Sequence, residues 1–381
     1  MGITEVMILW AMLGYLLQYL FGKSPSSSAT ENLPSKETEK EEGESSQTSQ
    51  TTASRCPPIL DEIVFEILSW LPVGDVVRCK SVCKLWNSIT SEPAFIKTHV
   101  NRAPSSLLET WDTYCVARKE SYIFRCAGTP NGLVCFLNRN KSLIISNPAI
   151  WKSLRLGRVH HPTHRPSFCY IPSTGKYKVA NFYYSHRLRK YQCEMITVGE
   201  TEIPLPRREI QVPFSLRKRF VLQTGTMTYF IKTLHSSIEI ATFDLETEVL
   251  RSKSFPWSRF NVEAKKHKHM CKFVWDGRLC LGSIVKNKLI AFVLEDYERD
   301  EWRKQEVVLP IGKEENEEPM LPLFFEANKL QVRVTMHKVA VFDLRNPDLY
   351  WFFMYSGGSE ISWEYKPTLV TCKGMKRCFL V

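Results

Sequence analysis

"IEIATFDLETEVL", residues 238–250, decides how most of the chain folds. β-favouring side chains run from Ile238 to Phe243, Asp244 breaks the run, and a polar stretch follows before Val249 and Leu250 resume it. That is a strand, a turn and the start of a returning strand. Working outward, similar short strands ending in a polar turn recur at Ser146-Asn147-Pro148, Thr197-Val198-Gly199, Leu294-Glu295-Asp296 and Phe342-Asp343-Leu344. With Asn147, Thr197, Asp244, Glu295 and Asp343 as markers, the steps are 50, 47, 51 and 48 residues. A second series places Gly132 in "NGLVCF", Gly225 in "TGTMTYF" and Gly277 in "DGRLCLG", at steps of 93 and 52, the first close to two periods. Further runs of the same kind are "SLIIS", "YKVANFYY", "RLCLGSIV", "KLIAFVL" and "VAVFDL". A period near 50 residues is that of kelch-like propellers with four strands per blade. Residues 105–381 are therefore predicted to form an all-β, propeller-like domain of five to six blades.

Upstream the period changes from two to that of a helix. In residues 56–100, Asp61 and Glu62 open a helix whose Ile63, Ile67 and Leu71 share one face, with Val64 and Leu68 as a second stripe. Leu71-Pro72 ends it, because proline cannot continue the hydrogen-bond ladder. Asp75 is placed to cap a second helix through Val76, Val77 and Arg78. Ser81 then starts a third, carrying Val82, Cys83, Leu85, Trp86 and Ile89. Three short helices in so few residues form a core near the lower limit of self-sufficiency. Their apolar side chains point in too many directions for the module to cover them all, so another chain is expected to cover part of this surface.

Before this module lie two further segments. Residues 6–21, "VMILWAMLGYLLQYLF", carry no charge and would span about 24 Å as a helix, against about 30 Å for a bilayer core. Residues 1–22 thus fit a membrane tether, an isolated hydrophobic helix or a spurious leader, and Glu5 before and Lys23 after the segment favour a cytosolic C-terminal side. Residues 23–55 are rich in Ser, Thr and Glu, with one Leu and no aromatic, and read as a disordered linker.

Composition excludes several function classes. The net charge of +11 is scattered; the clusters Arg217-Lys218-Arg219 and Lys265-Lys266-His267-Lys268-His269 are short and read as solvated loops, so a nucleic-acid partner is not expected. Twelve cysteines include no C-x-x-C pair, which argues against a zinc ribbon or a thioredoxin-type site, and they read as core residues in a reducing compartment. His160, His161 and His164 lack a Cys or carboxylate at a useful distance, and His267, His269 and Cys271 sit among lysines; no metal and no cofactor is expected. No nucleophile elbow, P-loop or dinucleotide fingerprint is present. The acidic "LEDYERDE" reads as surface ion pairing at a turn.

Two resemblances join these observations. "PPILDEIVFEILSWLPVGDVVRCKSVCKLWNSITSEPAFIKTHV", residues 57–100, resembles an F-box, the helical motif that docks on a Skp-type adaptor of a cullin–RING ubiquitin ligase. Asp61-Glu62, Glu66-Ile67-Leu68, Leu71-Pro72, Ser81-Val82-Cys83-Lys84, Trp86 and Phe95 carry the likeness. Ile59-Leu60 stands where the family usually has Leu-Pro, which puts the strength of adaptor docking in question. The resemblance implies that Ile59, Leu60, Ile63, Ile67, Leu71, Pro72, Val76, Val77, Cys83 and Trp86 dock the adaptor or form the motif's core. Trp86 fits either role. "NGLVCF", "SNPAIWKSLRLG", "FCYIPSTGKYKV", "IATFDLETEVL", "VLEDYERDEW" and "YKPTLV" resemble the plant F-box-associated interaction domain, with a poor match between Val198 and Leu222.

Together the resemblances imply the substrate-receptor subunit of an SCF-type ligase. It would have no catalytic residue of its own, and its partners would be a Skp-type adaptor, a cullin through it, and a target protein. It would work in cytoplasm or nucleus, or anchored to a membrane by residues 6–21. The rival readings are a protein-binding propeller outside any ligase, with a degraded F-box, and a propeller enzyme such as a kelch-type oxidase. Target recognition is expected in rim loops, with His160-His161 to Arg165, Tyr183-Tyr184 to Lys190, and Arg207-Arg208 as candidates, each also fitting an ordinary solvated loop.

Overall fold

The computed structural model describes residues 60–103, 106–108, 125–138, 140–199, 207–260, 270–285, 287–310, 320–326, 328–335, 338–346, 350–354 and 363–377. The expected N-terminal helix over 1–22, the linker over 23–55, Ile59 and the basic stretch 265–269 lie outside these residues. Two compact units divide after Arg102.

Among its described residues the first unit holds four helices, where three were expected over residues 56–100: α1 Asp61–Ser69, α2 Val73–Cys79, α3 Lys84–Ile89 and α4 Pro93–Arg102. α1 begins and ends where periodicity and proline place it. α2 starts earlier than expected, with Pro72 as N-cap and Asp75 inside the first turn, where its charge still favours the helix N-terminus. α3 starts at Lys84, not Ser81, because the Cys83 thiol caps it by accepting from the Trp86 backbone N–H at 3.5 Å. The fourth helix escaped a count of apolar residues because one of its two buried side chains is His99, four residues after Phe95. The Phe95 ring meets Phe65 of α1 edge-on at 5.2 Å, and the His99 Nε2–H donates to the Leu71 carbonyl at 3.0 Å. At the end of α4, the Arg102 guanidinium pairs with Glu66 at 2.9 Å, donates to the Ser69 hydroxyl and lies over the Trp70 ring. Val64, Leu68, Val76, Trp86, Ile89 and Phe95 form the core.

Among its described residues the second unit shows β1, Ser106–Leu108, followed by five four-stranded antiparallel meanders. Sheet 1 is β2 Arg125–Gly128, β3 Val134–Leu137, β4 Ser142–Asn147 and β5 Lys152–Arg158. Sheet 2 is β6 Ser167–Ile171, β7 Lys176–Ser185, β8 Lys190–Val198 and β9 Arg207–Val212. Sheet 3 is β10 Phe220–Thr224, β11 Met227–Thr233, β12 Ser237–Asp244 and β13 Leu250–Pro256. Sheet 4 is β14 Cys271–Trp275, β15 Arg278–Val285, β16 Lys288–Asp296 and β17 Glu301–Val308. Sheet 5 is β18 Leu321–Glu326, β19 Lys329–Thr335, β20 Lys338–Asp343 and β21 Tyr350–Met354. The first strands of sheets 4 and 5 also pair in parallel, Val274 opposite Phe324 and Trp275 opposite Phe325.

The repeats read from the sequence are two turns of this meander. In sheets 1, 3, 4 and 5 the third strand ends in an Asx turn, in which a side-chain carboxylate or amide oxygen accepts a backbone N–H two residues on. Asn147 holds Ala149 at 3.0 Å, Asp244 holds Glu246 at 3.0 Å, Asp296 holds Glu298 at 2.7 Å and Asp343 holds Arg345 at 3.0 Å. Asp296, not the neighbouring Glu295, does this work in sheet 4. The first hairpin turns on a residue with positive φ, Gly132, Gly175, Gly225, Gly277 or Asn328, at steps of 43, 50, 52 and 51 residues. Gly175 fills the double step between Gly132 and Gly225.

Successive sheets pack face to face in chain order. In β11 Phe230 faces sheet 2, while its neighbours Tyr229 and Ile231 face sheet 4; in β12 Phe243 and Ile240 divide the same way. Both faces are buried, which is why these strands read as continuous apolar runs. Phe182 of β7 meets Phe230 and Phe243 edge-on at 4.8 and 5.6 Å, and each such buried ring contributes about 2 kcal/mol. The C-terminal stretch returns to the start. β22, Trp363–Tyr365, pairs with β1, and β23, Lys376–Arg377, adds a fifth strand to sheet 1. Between them, the buried Asn147 amide donates to the Thr368 and Val370 carbonyls at 2.9 and 2.8 Å. Gly132 allows this approach, since a Cβ there would lie 2.2 Å from the Lys366 carbonyl oxygen.

Two candidate binding surfaces

In the helical unit the ten positions singled out from the sequence divide by burial. Ile67, Leu71, Val76 and Trp86 point into the unit's own core. Cys83 is half-buried at the start of α3. Leu60, Ile63, Val77 and Pro72 face solvent, the first three with 65%, 48% and 41% of their surface exposed. Ile59 lies outside the described residues. Trp70 and Leu85, which sequence reasoning did not assign to the surface, are exposed as well. The pattern is one of adjacent pairs: Val76 in and Val77 out, Trp86 in and Leu85 out. Consecutive helical residues point about 100° apart, so a helix apolar at both positions leaves one of them uncovered. Of the thirteen exposed large apolar side chains among the described residues, five fall within residues 60–85. Scattered exposed apolar residues are ordinary, but these five fall within 26 consecutive residues of one small helical unit.

The second surface lies on sheet 2. Two of the three loop candidates, His160–Arg165 and Tyr183–Lys190, come together there, although 17 residues lie between them. An isolated bridge between Pro162 and Tyr183 and a 2.7 Å hydrogen bond from Thr163 N to the Phe182 carbonyl lay residues 160–163 along the far half of β7. The result is an open concavity of about 750 Å³, lined by residues 160–163, residues 183–188 of β7 and its turn, and Glu209. The His160 ring stacks on Tyr183 at 4.1 Å with planes 8° apart. Beneath it the buried Glu194 accepts from the His160 backbone N–H at 3.3 Å and from Arg207 at 2.7 Å, and its carboxylate lies 3.3 Å from His160 Nδ1. The Tyr183 hydroxyl donates to Glu209 at 2.8 Å; burial and then that carboxylate push its pKa up, so it stays a donor. On the rim, Tyr184 and Leu188 are 38% and 53% exposed.

The third candidate pair works elsewhere. Arg207 ties sheet 1 to sheet 2, donating to the Leu156 and Arg158 carbonyls at 2.6 and 2.7 Å besides Glu194. Arg208 pairs with Glu248 of sheet 3's last turn, which Lys178 also reaches at 2.8 Å. Nor do the histidines at 160–164 converge: His161 bonds the Pro162 carbonyl and His164 the Leu216 carbonyl. Among the described residues no three His, Cys, Asp or Glu side chains cluster as metal ligands would. The acidic stretch at 294–301 forms surface ion pairs, including Arg303 with Glu295 at 2.6 Å and Arg251 with Glu298 at 2.9 Å.

Comparison with known proteins bears on both units. Residues 61–102 match the family model described as F-box-like, and residues 87–329, more than half of the chain, match that of the F-box associated beta propeller domain. An F-box protein of Arabidopsis thaliana is 26% identical over 281 residues, covering 63% of this chain and 69% of its own length. Another from the same plant is 26% identical over 279 residues, covering 66% and 78%. F-box only protein 12 of Arabidopsis thaliana is 26% identical over 274 residues, covering 64% and 61%.

Proposed function

The chain belongs to the plant F-box proteins that carry an F-box-associated domain, and from that premise we propose that it is the substrate-receptor subunit of an SCF-type cullin–RING ubiquitin ligase. The helical unit fastens the chain to a Skp-type adaptor, and through it to a cullin. The β unit holds a target protein. The observation that carries this reading is the division of labour in the helices: one set of apolar side chains closes the core while Leu60, Ile63, Pro72 and Val77 are left for a partner. The five face-to-face sheets are the blades of a propeller, closed by the C-terminal return onto sheet 1. This reading is supported by the shared period of the Asx turns and by the packing of each sheet between its chain neighbours. Such a frame holds still while its loops vary.

The chain adds no chemistry of its own to ubiquitin transfer. Tethering the target beside the ubiquitin-charged enzyme raises its effective concentration, and that is the source of the rate gain. We place it in cytoplasm or nucleus, the alternative being a membrane anchor through residues 6–21 with the rest cytosolic. No helix among the described residues is long and apolar enough to cross a membrane.

Affinity purification of the full chain from plant cells tests the assignment. Adaptor and cullin co-purify with the wild type and are lost with Ile63→Asp plus Val77→Asp. Leu71→Asp or Val76→Asp would not serve, since both side chains are buried and the unit would unfold. Recovery of the β unit's target without adaptor or cullin, under conditions where other F-box proteins bring both, would favour the rival reading of a binding protein with a degraded F-box. The departure at Ile59-Leu60 is the feature that would explain such a result.

A further inference from the structure

The concavity on sheet 2 has more structure than a solvated loop requires. Its wall is held from below by a buried carboxylate: Glu194 accepts from Arg207, the Asn181 amide and the His160 backbone, and Asn181 in turn donates to the His160 carbonyl at 3.0 Å. Burying a carboxylate is costly unless it is paired and hydrogen-bonded, so this network is a rigid foundation rather than a surface accident. The His160–Tyr183 stack is thereby presented as a fixed aromatic platform. A platform ordered before a ligand arrives lowers the ordering cost of binding.

Around this platform the chemistry is two-sided. Tyr184 and Leu188 supply apolar surface; they are two of the eight exposed large apolar side chains described in the β unit. The turn from His186 to Lys190 supplies positive charge, carrying Arg187, Arg189 and Lys190 with no carboxylate among them, and all three are exposed. Glu194 is ion-paired with Arg207, while Glu209, which accepts from the Tyr183 hydroxyl, remains the lining's carboxylate. Arg187 is the lining cation, and with the exposed Arg189 and Lys190 beside it the turn's three cations outnumber the lining carboxylate. The volume is that of ordinary ligand sites, which hold about 300–1,000 Å³, but the concavity is open along one side. That shape suits side chains projecting from a strand that runs across it.

We propose that this concavity is where the β unit takes its target, and that its ligand is an extended peptide segment with a carboxylate side chain beside an apolar one. The carboxylate meets Arg187, and the apolar side chain lies against Tyr184 and Leu188 on the His160–Tyr183 platform. A carboxylate is favoured over a phosphate because a single guanidinium lines the site together with a carboxylate, Glu209, too little positive charge for a dianion. The proposal rests on the substrate-receptor reading above.

Selection of a displayed library of random short peptides on the immobilised full chain tests it, followed by titration of the enriched peptides. Wild-type protein enriches sequences with Asp or Glu next to Leu, Phe or Tyr. Their affinity falls roughly tenfold or more with Arg187→Glu and with Tyr184→Ser plus Leu188→Ser, about 1.4 kcal/mol for each factor of ten. Lys373→Glu, an exposed charge in the C-terminal return, leaves it unchanged. Unchanged melting temperatures keep the comparison to binding. No shared motif, affinities indifferent to both sheet 2 variants, binding confined to phosphorylated peptides, or displacement of the peptides by an oligonucleotide would each overturn the proposal. Adaptor binding, read in parallel, separates the two claims: variants that lose peptide keep the adaptor. A wild type that binds the adaptor but enriches nothing sinks this site and leaves the receptor reading standing.

Discussion

Replacing Asn147 should damage the β unit far more than replacing its counterpart in another sheet. Asn147 and Asp244 both end the third strand of their sheets and both hold a backbone N–H at 3.0 Å. Only Asn147 is buried, and only Asn147 also donates to two carbonyls, those of Thr368 and Val370 at 2.9 and 2.8 Å. Asn147→Ala leaves two carbonyls and one N–H without partners inside the protein. A lost hydrogen bond costs about 1 kcal/mol, more where the orphaned group cannot reach water, so the total is about 3 kcal/mol. Asp244→Ala, in an exposed turn, should cost about 1 kcal/mol. In a domain of this size the first change lowers Tm by about 6–10 °C and the second by about 2–4 °C. Asn147→Asp should be worse than Asn147→Ala near neutral pH, because it keeps the turn's acceptor but aims a carboxylate at two carbonyl oxygens. Thermal unfolding of the full chain, followed by tryptophan fluorescence, measures all three. Equal losses for Asn147→Ala and Asp244→Ala would refute the view that the C-terminal return fastens the end of the β unit to its beginning.

Other expectations follow from single contacts. Gly132→Ala should destabilise by several kcal/mol, because its Cβ would meet the Lys366 carbonyl, whereas Gly225→Ala, with open space around it, should cost only the left-handed backbone penalty of about 1–2 kcal/mol. Unfolding midpoints of the two variants decide this. Burial lowers the pKa of His99, which binds its proton less readily when folded than when unfolded. Its contribution to the helical unit is therefore complete above the unfolded value of about 6.5 and is lost as pH falls below it. Melting curves between about pH 7.5 and 5 should show this loss, and His99→Gln should flatten it. Arg207→Ala strips Glu194 of its cation and frees the Leu156 and Arg158 carbonyls, so it should cost about 3 kcal/mol. Arg207→Ala with Glu194→Gln should recover part of this in denaturant titrations.

Much of the β unit was readable because its turns repeat a chemistry that sequence displays. Asn147, Asp244 and Asp343 stand out as polar residues at the end of apolar runs, and each proves to be an Asx turn. The marker failed where the chemistry differs: β8 ends at Val198-Gly199 with no Asx residue, and in sheet 4 Asp296 rather than Glu295 makes the turn. Asn328 was not legible as a member of the glycine series because an asparagine there adopts the same positive φ without looking like a breaker. In the helical unit, periodicity placed α1 but not α4, where one of the two buried side chains is a histidine. Nor could periodicity tell Val76 from Val77, since burial depends on which side the rest of the unit lies. The concavity was legible only in halves. Residues 160–163 and 183–188 each looked like a polar aromatic loop, and the single Pro162–Tyr183 bridge that joins them carries no sequence signature.

The most direct test of the central claim is a calorimetric titration of a Skp-type adaptor into the full chain carrying matched pairs of surface changes. Ile63→Asp plus Val77→Asp alters exposed apolar side chains of the helical unit, and Val285→Asp plus Val308→Asp alters somewhat more exposed ones of the β unit. Wild type and the second variant should bind with a negative heat-capacity change, and the first variant should lose roughly a hundredfold or more, about 2.7 kcal/mol. Adaptor binding indifferent to the helical pair, or weakened as much by the β pair, would contradict the claim.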